Sequence, residues 1–136
     1  MIILIDTDVL IDLALDRKPH AQYSESIINS VEEKSLNAFI AWHTVSNFYY
    51  MVAGTSGNRK ARLFIKELLQ FVNISETSIN DVLTAIDLPL RDFEDVLQVA
   101  AASACSARFI ITRNVKHYKK SNIAVLTPKK FLDMYL

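Results

Sequence analysis

Four oxygen-bearing side chains stand where a predicted strand ends or a predicted helix begins. Asp6 follows the apolar run Ile2–Ile5 directly, and Asp95 lies at the start of an alanine-rich helical stretch. Asn47 and Asn114 follow two further apolar runs. Ligands of open parallel sheets bind beyond the carboxyl ends of the strands, so these four side chains could meet at one edge. Clustered oxygens of this kind suit a hard cation such as Mg²⁺ or Mn²⁺, which can generate a hydroxide nucleophile and stabilise the charge of a phosphodiester transition state.

Five short aliphatic runs predict the strands that would position these groups. They lack polar alternation, which is typical of strands covered on both faces, as in parallel sheets. The runs are Ile2–Ile5, Ala38–Ala41, Phe71–Ile74, Phe109–Thr112 and Ile123–Leu126. Longer stretches with helical periodicity separate them, which predicts an α/β fold with helices on both faces of a parallel sheet. We expect a single domain over residues 1–136.

The composition argues against several classes of protein. Formal net charge is zero, so a nucleic-acid partner must be attracted by a local patch. The chain has only two glycines, Gly54 and Gly57, which we interpret as a loop between two helices, and it has no glycine-rich phosphate loop. Cys105 is the only cysteine, so no intramolecular disulfide can form. No apolar run is long enough to span a bilayer and the first one does not resemble a signal peptide, so we expect a soluble cytoplasmic protein.

Most of the acidic residues also have a structural interpretation. We interpret Asp8 as the N-cap of a helix that starts just after it, and Asp12 as a solvated helix residue. Asp92 is predicted to cap the alanine-rich helix with Asp95 as its partner three residues on, which alone could explain Asp95. Only Asp6, one residue past its strand, is interpreted primarily as functional.

Basic residues follow the predicted fourth strand. They are Arg113, Lys116, Lys119 and Lys120. A local strip of this kind suits the phosphates of a nucleic acid, and it equally suits an ordinary solvated loop. His43, which stands alone before Asn47, is interpreted as a structural histidine.

Several motifs together resemble those of the PIN-domain family, especially the bacterial toxin ribonucleases of toxin–antitoxin pairs. The motifs are IDTDVLIDL, HTVSNFYYM, DFEDVLQVAAA, FIITRN and VLTPKKFL, and they extend over essentially the whole chain. The resemblance implies a three-layer α/β/α sandwich with a five-stranded parallel sheet, an acidic Mg²⁺ or Mn²⁺ site and endonucleolytic cleavage of RNA. It also implies a protein antitoxin as partner.

The resemblance assigns roles to four residues and exposes two departures. Asp6 matches the first aspartate of the family and Asp95 the aspartate before the alanine-rich helix, so both are expected to be catalytic and to bind the metal. The usual glutamate after the second strand is Asn47 here, and the usual aspartate after the fourth strand is Asn114. An amide oxygen can ligate a cation, but it brings no charge and cannot act as a base. Missing charge would have to come from Asp92, Glu94 or Asp8.

Two functions follow from these observations. The first is a toxin endoribonuclease in which Asp6 and Asp95 hold the ion and Asn47 and Asn114 assist. The alternative, favoured by the two asparagines, is a weakened or inactive PIN-like module that binds RNA or protein.

We further expect a homodimer. The aromatic and aliphatic surplus of Phe48, Tyr49, Tyr50 and Met51 lies beside a short helix predicted to end at Gly54, and a helix this apolar needs cover on more than one side.

Overall fold

The computed structural model describes all residues, 1–136, and contains one parallel sheet of five strands. The strands are β1 (Ile2–Ile5), β2 (Asn37–Ile40), β3 (Asn73–Ile74), β4 (Phe109–Ile111) and β5 (Ala124–Leu126). Their order across the sheet is β3-β2-β1-β4-β5. The predicted α/β class and the five-stranded parallel sheet are confirmed, and every predicted run overlaps its strand.

Seven α-helices and one 3₁₀ helix connect the strands. The α-helices are α1 (Thr7–Ala14), α2 (His20–Glu32), α3 (Trp42–Ser56), α4 (Asn58–Leu68), α5 (Ile79–Ala85), α6 (Phe93–Ala104) and α7 (Pro128–Tyr135), and the 3₁₀ helix is Val115–Tyr118. None of these helices is both long and apolar enough to cross a membrane.

Alternate residues of the central strand reach two different hydrophobic cores. Ile3 and Ile5 pack with side chains of α1, α2, α3, α4 and α7, whereas Leu4 packs with α6. All three are fully buried. Because successive strand residues point to opposite faces, helices cover both faces of the sheet, and this explains the unbroken apolar character of the run.

The order of the strands places a topological switch beside β1. The chain adds β2 and β3 on one side of β1, and it later adds β4 and β5 on the other. Ile5 pairs with Ile111, so the residues that follow these two strands emerge side by side. Asp6 is held there by its backbone N–H, which donates to the Ile111 carbonyl at 2.9 Å. This edge is where ligands of open α/β sheets bind.

The first helix begins earlier than predicted. α1 starts at Thr7, and Asp6 is its N-cap, because Asp6 Oδ1 accepts a hydrogen bond from the Thr7 N–H at 2.7 Å. The prediction that Asp8 caps this helix is therefore wrong. Asp8 lies in the first turn, and its side chain is free to contact other elements.

The two glycines do not form the predicted loop. α3 continues through Gly54 and ends only at Ser56, so the helix is longer than the expected one that ended at Gly54. Gly57 alone separates α3 from α4, and its φ of 89° lies in the region that favours glycine. An interior glycine costs a helix only about 0.5 to 1 kcal/mol, which the packing of α3 outweighs.

Candidate active site at the carboxyl edge of the sheet

Asp6 is held by three hydrogen-bond donors from three parts of the chain. Besides the Thr7 N–H, Gln98 Nε2 donates to Oδ1 at 3.1 Å and the Tyr118 hydroxyl donates to Oδ2 at 2.9 Å. Gln98 and Tyr118 are themselves buried. Gln98 Nε2 also lies 3.1 Å from the Thr44 hydroxyl. The carboxylate that the sequence placed at the mouth of a site is thus fixed in orientation by its surroundings.

Asp95 lies beside Asp6 and has fewer compensating contacts. It is 8% exposed, and its Oδ2 is buried with no hydrogen-bond partner. His117 Nδ1 lies 3.4 Å from that oxygen. Burial, reinforced by the negative charge of Asp6, raises the pKa of Asp95 to about 6. This is the setting of a carboxylate that would gain from a nearby positive charge.

The predicted capping arrangement at the start of α6 is half correct. Asp92 is the N-cap, and its Oδ1 accepts a hydrogen bond from the Glu94 N–H at 2.9 Å. Asp95 stands at the third helical position but makes no reciprocal bond to Asp92, because its carboxylate is turned toward His117. Helix capping therefore explains Asp92 and leaves Asp95 available for another role.

Asp8 joins α1 to the segment after β4. Its carboxylate accepts hydrogen bonds from the Thr112 hydroxyl at 3.3 Å, the Arg113 N–H at 3.0 Å and Asn114 Nδ2 at 3.2 Å. Burial and the charge of Asp6 raise the pKa of Asp8 to about 7. Asn114, predicted to assist at the site, is thus engaged with Asp8.

Asp12 is the clearest departure from the sequence-based prediction. We expected a solvated residue, but Asp12 is 0% exposed. Its carboxylate forms a bidentate ion pair with Arg113, through Nε to Oδ2 and through Nη2 to Oδ1, the latter at 3.0 Å. The prediction failed because the partner is 101 residues away in the sequence. The pairing also means that the Arg113 guanidinium is already neutralised.

Asn47 also pairs with a carboxylate. Its Nδ2 donates to Glu94 Oε1 at 2.7 Å, which links α3 to the first turn of α6. His43, one turn earlier, is half-buried, burial lowers its pKa, and its Nε2 is buried without a hydrogen-bond partner. The charges of Glu94 and Asp6 both oppose that shift, so both carboxylates lie within electrostatic reach of His43.

A cleft of about 720 Å³ opens beside Asp95. Three of the predicted phosphate-binding residues, Lys116, Lys119 and Lys120, line it. Arg91 and Phe93 line it as well, and the Phe93 side chain is 55% exposed. Sequence reasoning missed both, although the apolar Phe93 in the acidic stretch RDFED is a visible signal. The lysines thus share one surface with the aspartate.

The donor set fits a hydrated hard cation better than a fully protein-bound one. No three His, Cys, Asp or Glu side chains converge on a common point. Four buried side-chain polar atoms, however, have no hydrogen-bond partner, namely Ser24 Oγ, His43 Nε2, Asp95 Oδ2 and Gln98 Oε1. Mg²⁺ commonly retains several waters and uses only one or two carboxylates. Asp6 and Asp95 could therefore hold such an ion, with water completing its shell.

Comparison with known protein families gives a match over most of the chain. The sequence profile of the PIN domain matches residues 2–116, whereas no curated protein sequence gives a significant match.

Several solved structures are similar in fold. VapBC2 from Rickettsia felis, bound to a DNA fragment from its promoter, has a TM-score of 0.75 and 16% identity, covering 93% of this chain and 98% of that chain. VapBC-1 from nontypeable Haemophilus influenzae has a TM-score of 0.70 and 20% identity, covering 95% and 99%. VapC20 from Mycobacterium tuberculosis, described as a Sarcin-Ricin loop cleaving toxin, has a TM-score of 0.63 and 13% identity, covering 79% and 86%.

At these identities the structural similarity establishes the fold alone. The profile match spans most of the sequence and includes β1, α6 and the segment after β4, which carry Asp6, Asp95 and Asn114. The chain therefore belongs to the PIN-domain family.

Proposed function

We propose that this protein is a Mg²⁺- or Mn²⁺-dependent endoribonuclease that acts as the toxin of a toxin–antitoxin pair. The observation that carries the proposal is the pair of buried carboxylates, Asp6 and Asp95, next to a cleft lined with lysines. Family membership supports it, as does the similar fold of VapC20, described as a Sarcin-Ricin loop cleaving toxin. The place of action would be the cytoplasm, where RNA and a protein antitoxin are both present.

In this proposal Asp6 and Asp95 hold the cation. The chemistry that a bound cation would supply is an activated water and stabilisation of charge on the phosphodiester. Thr7, Gln98 and Tyr118 keep the Asp6 carboxylate in a fixed orientation through their hydrogen bonds. Asn47 and Asn114 assist through water or through the carboxylates that they contact.

The RNA would lie in the cleft. Lys116, Lys119 and Lys120 would contact phosphates, and Arg91 adds a fourth cation. Arg113 remains part of the proposed basic strip, but its ion pair with Asp12 leaves the three lysines as the freer contacts.

The activity test is cleavage of labelled RNA with Mn²⁺. The wild-type protein should release fragments, chelator should stop the reaction, and Asp6→Asn and Asp95→Asn should abolish it. Equal cleavage by the wild type and Asp6→Asn would point to a contaminating nuclease and contradict the proposal.

Phe93 offers a second, metal-independent test of RNA contact. An exposed aromatic ring beside lysines suits stacking with an unpaired base, worth about 1–3 kcal/mol in alanine substitutions. Phe93→Ala should therefore weaken binding of single-stranded RNA in chelator by roughly 5- to 150-fold. Phe93→Tyr should keep binding near wild type. Ile79→Ala, at an exposed apolar residue of α5, is the matched control.

A non-catalytic PIN-like binding module is the second proposed function. The observation in its favour is the absence of three converging metal-ligating side chains. RNA retained on a filter in chelator, without cleavage at any Mn²⁺ concentration, would support it over the ribonuclease.

We also propose a homodimer, formed through α3. Phe48 is buried in the core and takes no part in that surface, whereas Tyr50 and Met51 are exposed and available. Light scattering at micromolar concentration should show a mass above the 15.4 kDa of one chain. A single 15.4 kDa species would contradict the dimer.

A further inference from the structure

Trp42, the only tryptophan of the chain, lies on the surface at the start of α3. The residue is 71% exposed, although tryptophan is among the residues that bury most of their surface on average. It forms a wall of two clefts, of about 550 Å³ and about 520 Å³. None of the residues that line the lysine cleft beside Asp95 lines either of them. Trp42 therefore marks a second surface, separate from that cleft.

The first turn of α3 joins this surface to the proposed active site. Thr44 follows Trp42 by two residues and is fully buried. Its hydroxyl lies 2.9 Å from the Thr7 hydroxyl and 3.1 Å from Gln98 Nε2. Gln98 Nε2 in turn donates to Asp6 Oδ1 at 3.1 Å. A ligand that occupies the site could therefore extend across the start of α3 to Trp42.

The two clefts share a polar group that the fold leaves unsatisfied. His43 lines both clefts together with Trp42, and its Nε2 is buried without a hydrogen-bond partner. Leaving such an atom unpaired is costly, so a ligand that offers it a hydrogen bond is favoured. A few polar groups between apolar walls are typical of sites for flat ligands with polar edges, such as nucleobases.

The adjoining face of α4 is positively charged. Arg59, Arg62 and Lys66 stand at positions i, i+3 and i+7, so they share one face of the helix, and all three are exposed. Arg62 lines one cleft together with Trp42, and its guanidinium lies 5.9 Å from the centre of the Tyr49 ring. None of the three cations forms an ion pair with an acidic side chain. Their charge is therefore available to an anionic ligand.

Exposed aromatic rings beside unpaired cations match single-stranded RNA better than a protein partner. Bases stack on aromatic side chains and on guanidinium planes, while cations contact the phosphates. A second copy of this chain, docked through the same surface, would bring the cations of α4 against their own counterparts, because a two-fold contact repeats one patch. An acidic polypeptide would neutralise the cations, whereas a nucleic acid also supplies flat rings for Trp42.

We propose that the first turn of α3 and the basic face of α4 form a second RNA-binding surface, on which an unpaired base stacks on Trp42 and phosphates contact Arg62 and Lys66. This inference rests on the proposed ribonuclease function and specifies its substrate as single-stranded RNA that extends beyond the lysine cleft. One strand would contact both surfaces. The homodimer proposed above uses Tyr50 and Met51, two turns further along α3.

The intrinsic fluorescence of Trp42 tests the stacking directly, because no other tryptophan contributes to the emission. A labelled single-stranded RNA of about 12 nucleotides is titrated into the full chain in chelator. Stacking should quench the emission, with the same midpoint as the binding curve given by the anisotropy of the RNA label. Constant emission while the anisotropy rises, or no binding at all, would overturn the inference.

Substitution of Trp42 tests the contribution of stacking to affinity. Trp42→Ala should weaken binding of this RNA in chelator by roughly 5- to 150-fold, the effect of losing one base–aromatic stack. Trp42→Phe should keep most of the affinity, because a phenyl ring still stacks. Met134→Ala, at an exposed apolar residue of α7, is the matched control and should bind as wild type does. Wild-type affinity in a folded Trp42→Ala variant would contradict the proposal.

The phosphate contacts predict a change in salt dependence. Each phosphate that a cation neutralises contributes about 0.7 to the slope of log affinity against log salt concentration for a single strand. Lys66→Gln should therefore reduce the magnitude of that slope by about 0.7. Lys130→Gln, at an exposed lysine of α7, should leave the slope unchanged. Equal slopes for Lys66→Gln and wild type would show that the RNA does not follow α4.

Two further measurements test the other possible occupants. Polyglutamate carries negative charge without rings, so it should leave the emission of Trp42 unchanged. Quenching by polyglutamate as strong as that by RNA would identify an acidic polypeptide as the occupant and overturn the inference. Light scattering of Trp42→Ala should give the wild-type mass. A lower mass would place Trp42 in a contact between two copies, which would also overturn it.

Failure of the proposed function gives a different result. If RNA quenches the emission of Trp42 but the wild type cleaves no RNA with Mn²⁺, the binding surface stands and the ribonuclease function is wrong. If the wild type cleaves RNA and Asp6→Asn does not, while RNA leaves the emission unchanged, the function stands and this inference is wrong.

Discussion

Two buried aspartates near the same sheet edge have opposite surroundings. Asp12 is fully buried and neutralised by the bidentate Arg113 guanidinium. Asp95 is almost as buried, yet its Oδ2 has no hydrogen-bond partner and the nearest base is a histidine at 3.4 Å. Burying a carboxylate is expensive unless a charge and hydrogen bonds compensate it. The protein supplies that compensation to Asp12 from its own chain, whereas Asp95 Oδ2 receives no hydrogen bond.

This comparison distinguishes an acid whose charge is compensated within the fold from one that we propose to be functional. Both residues are aspartates in amphipathic helices, so residue type and periodicity do not separate them. The separation comes from what faces each carboxylate across the fold. Arg113 follows β4 and reaches α1, whereas the first turn of α6 faces Asp6, which is another anion.

The largest expected effect on the free energy of unfolding comes from removing one member of the Asp12–Arg113 ion pair. Arg113→Met leaves Asp12 buried without its cation, which should reduce the free energy of unfolding by about 3–5 kcal/mol. Urea unfolding at pH 7 measures it. The double variant Asp12→Leu/Arg113→Met should recover most of the loss, because replacing both members of a buried pair by apolar residues is often neutral. A loss below about 1 kcal/mol in Arg113→Met would mean that the pair behaves like an exposed one.

A smaller effect on stability is expected from the two acids with raised pKa values, and it depends on pH. The folded-state pKa values of Asp8 and Asp95, about 7 and about 6, both exceed the ordinary value of 3.8. The folded protein therefore binds protons more tightly than the unfolded chain, and its stability without metal should fall as pH rises from about 4 to about 7. Asp95→Asn should remove part of this fall and stabilise the metal-free protein at pH 8 by on the order of 1–2 kcal/mol, after allowance for screening.

Repeating the stability comparison of wild type and Asp95→Asn with Mn²⁺ tests whether Asp95 binds the metal. Saturating metal should reverse the advantage, so that the wild type becomes more stable than Asp95→Asn at pH 8, because a ligand that binds only the folded state stabilises it. Chemical unfolding in chelator and in Mn²⁺ provides both values. An Asp95→Asn variant that is less stable than wild type in chelator at pH 8 would show that Asp95 is already compensated within the protein.

The smallest effect concerns the donors that orient Asp6. Tyr118→Phe removes the hydroxyl that donates to Asp6 Oδ2 and should cost about 1 kcal/mol, the net value of a typical hydrogen bond. Tyr50→Phe, at an exposed tyrosine, is the control and should change stability by less than about 0.5 kcal/mol. Equal melting temperatures of the two variants would indicate that Asp6 does not depend on Tyr118.

Much of this arrangement could be predicted from local sequence. Short, β-branched aliphatic runs such as Ile2–Ile5 favour a strand buried on both faces, because a covered sheet removes every side chain from water. The helical stretches between them then require parallel crossovers. The position of Asp6 directly after β1 follows from the same pattern, since the residue after a parallel strand emerges at the carboxyl edge of the sheet.

Only the tertiary structure decided which charges meet. The local sequence pattern predicted that Asp12 is a surface residue and that Asp8 is a helix cap. Neither Arg113 nor Asn114 lies in the stretch of sequence around α1, so the pattern could not include them. The structure brings both to that helix, over separations of 101 and 106 residues. It likewise joins Asn47 to Glu94 and Tyr118 to Asp6. Short-range periodicity specifies which face of an element is buried, whereas the energy of a buried charge depends on its nearest partner in space, and the packing of the whole chain determines that partner.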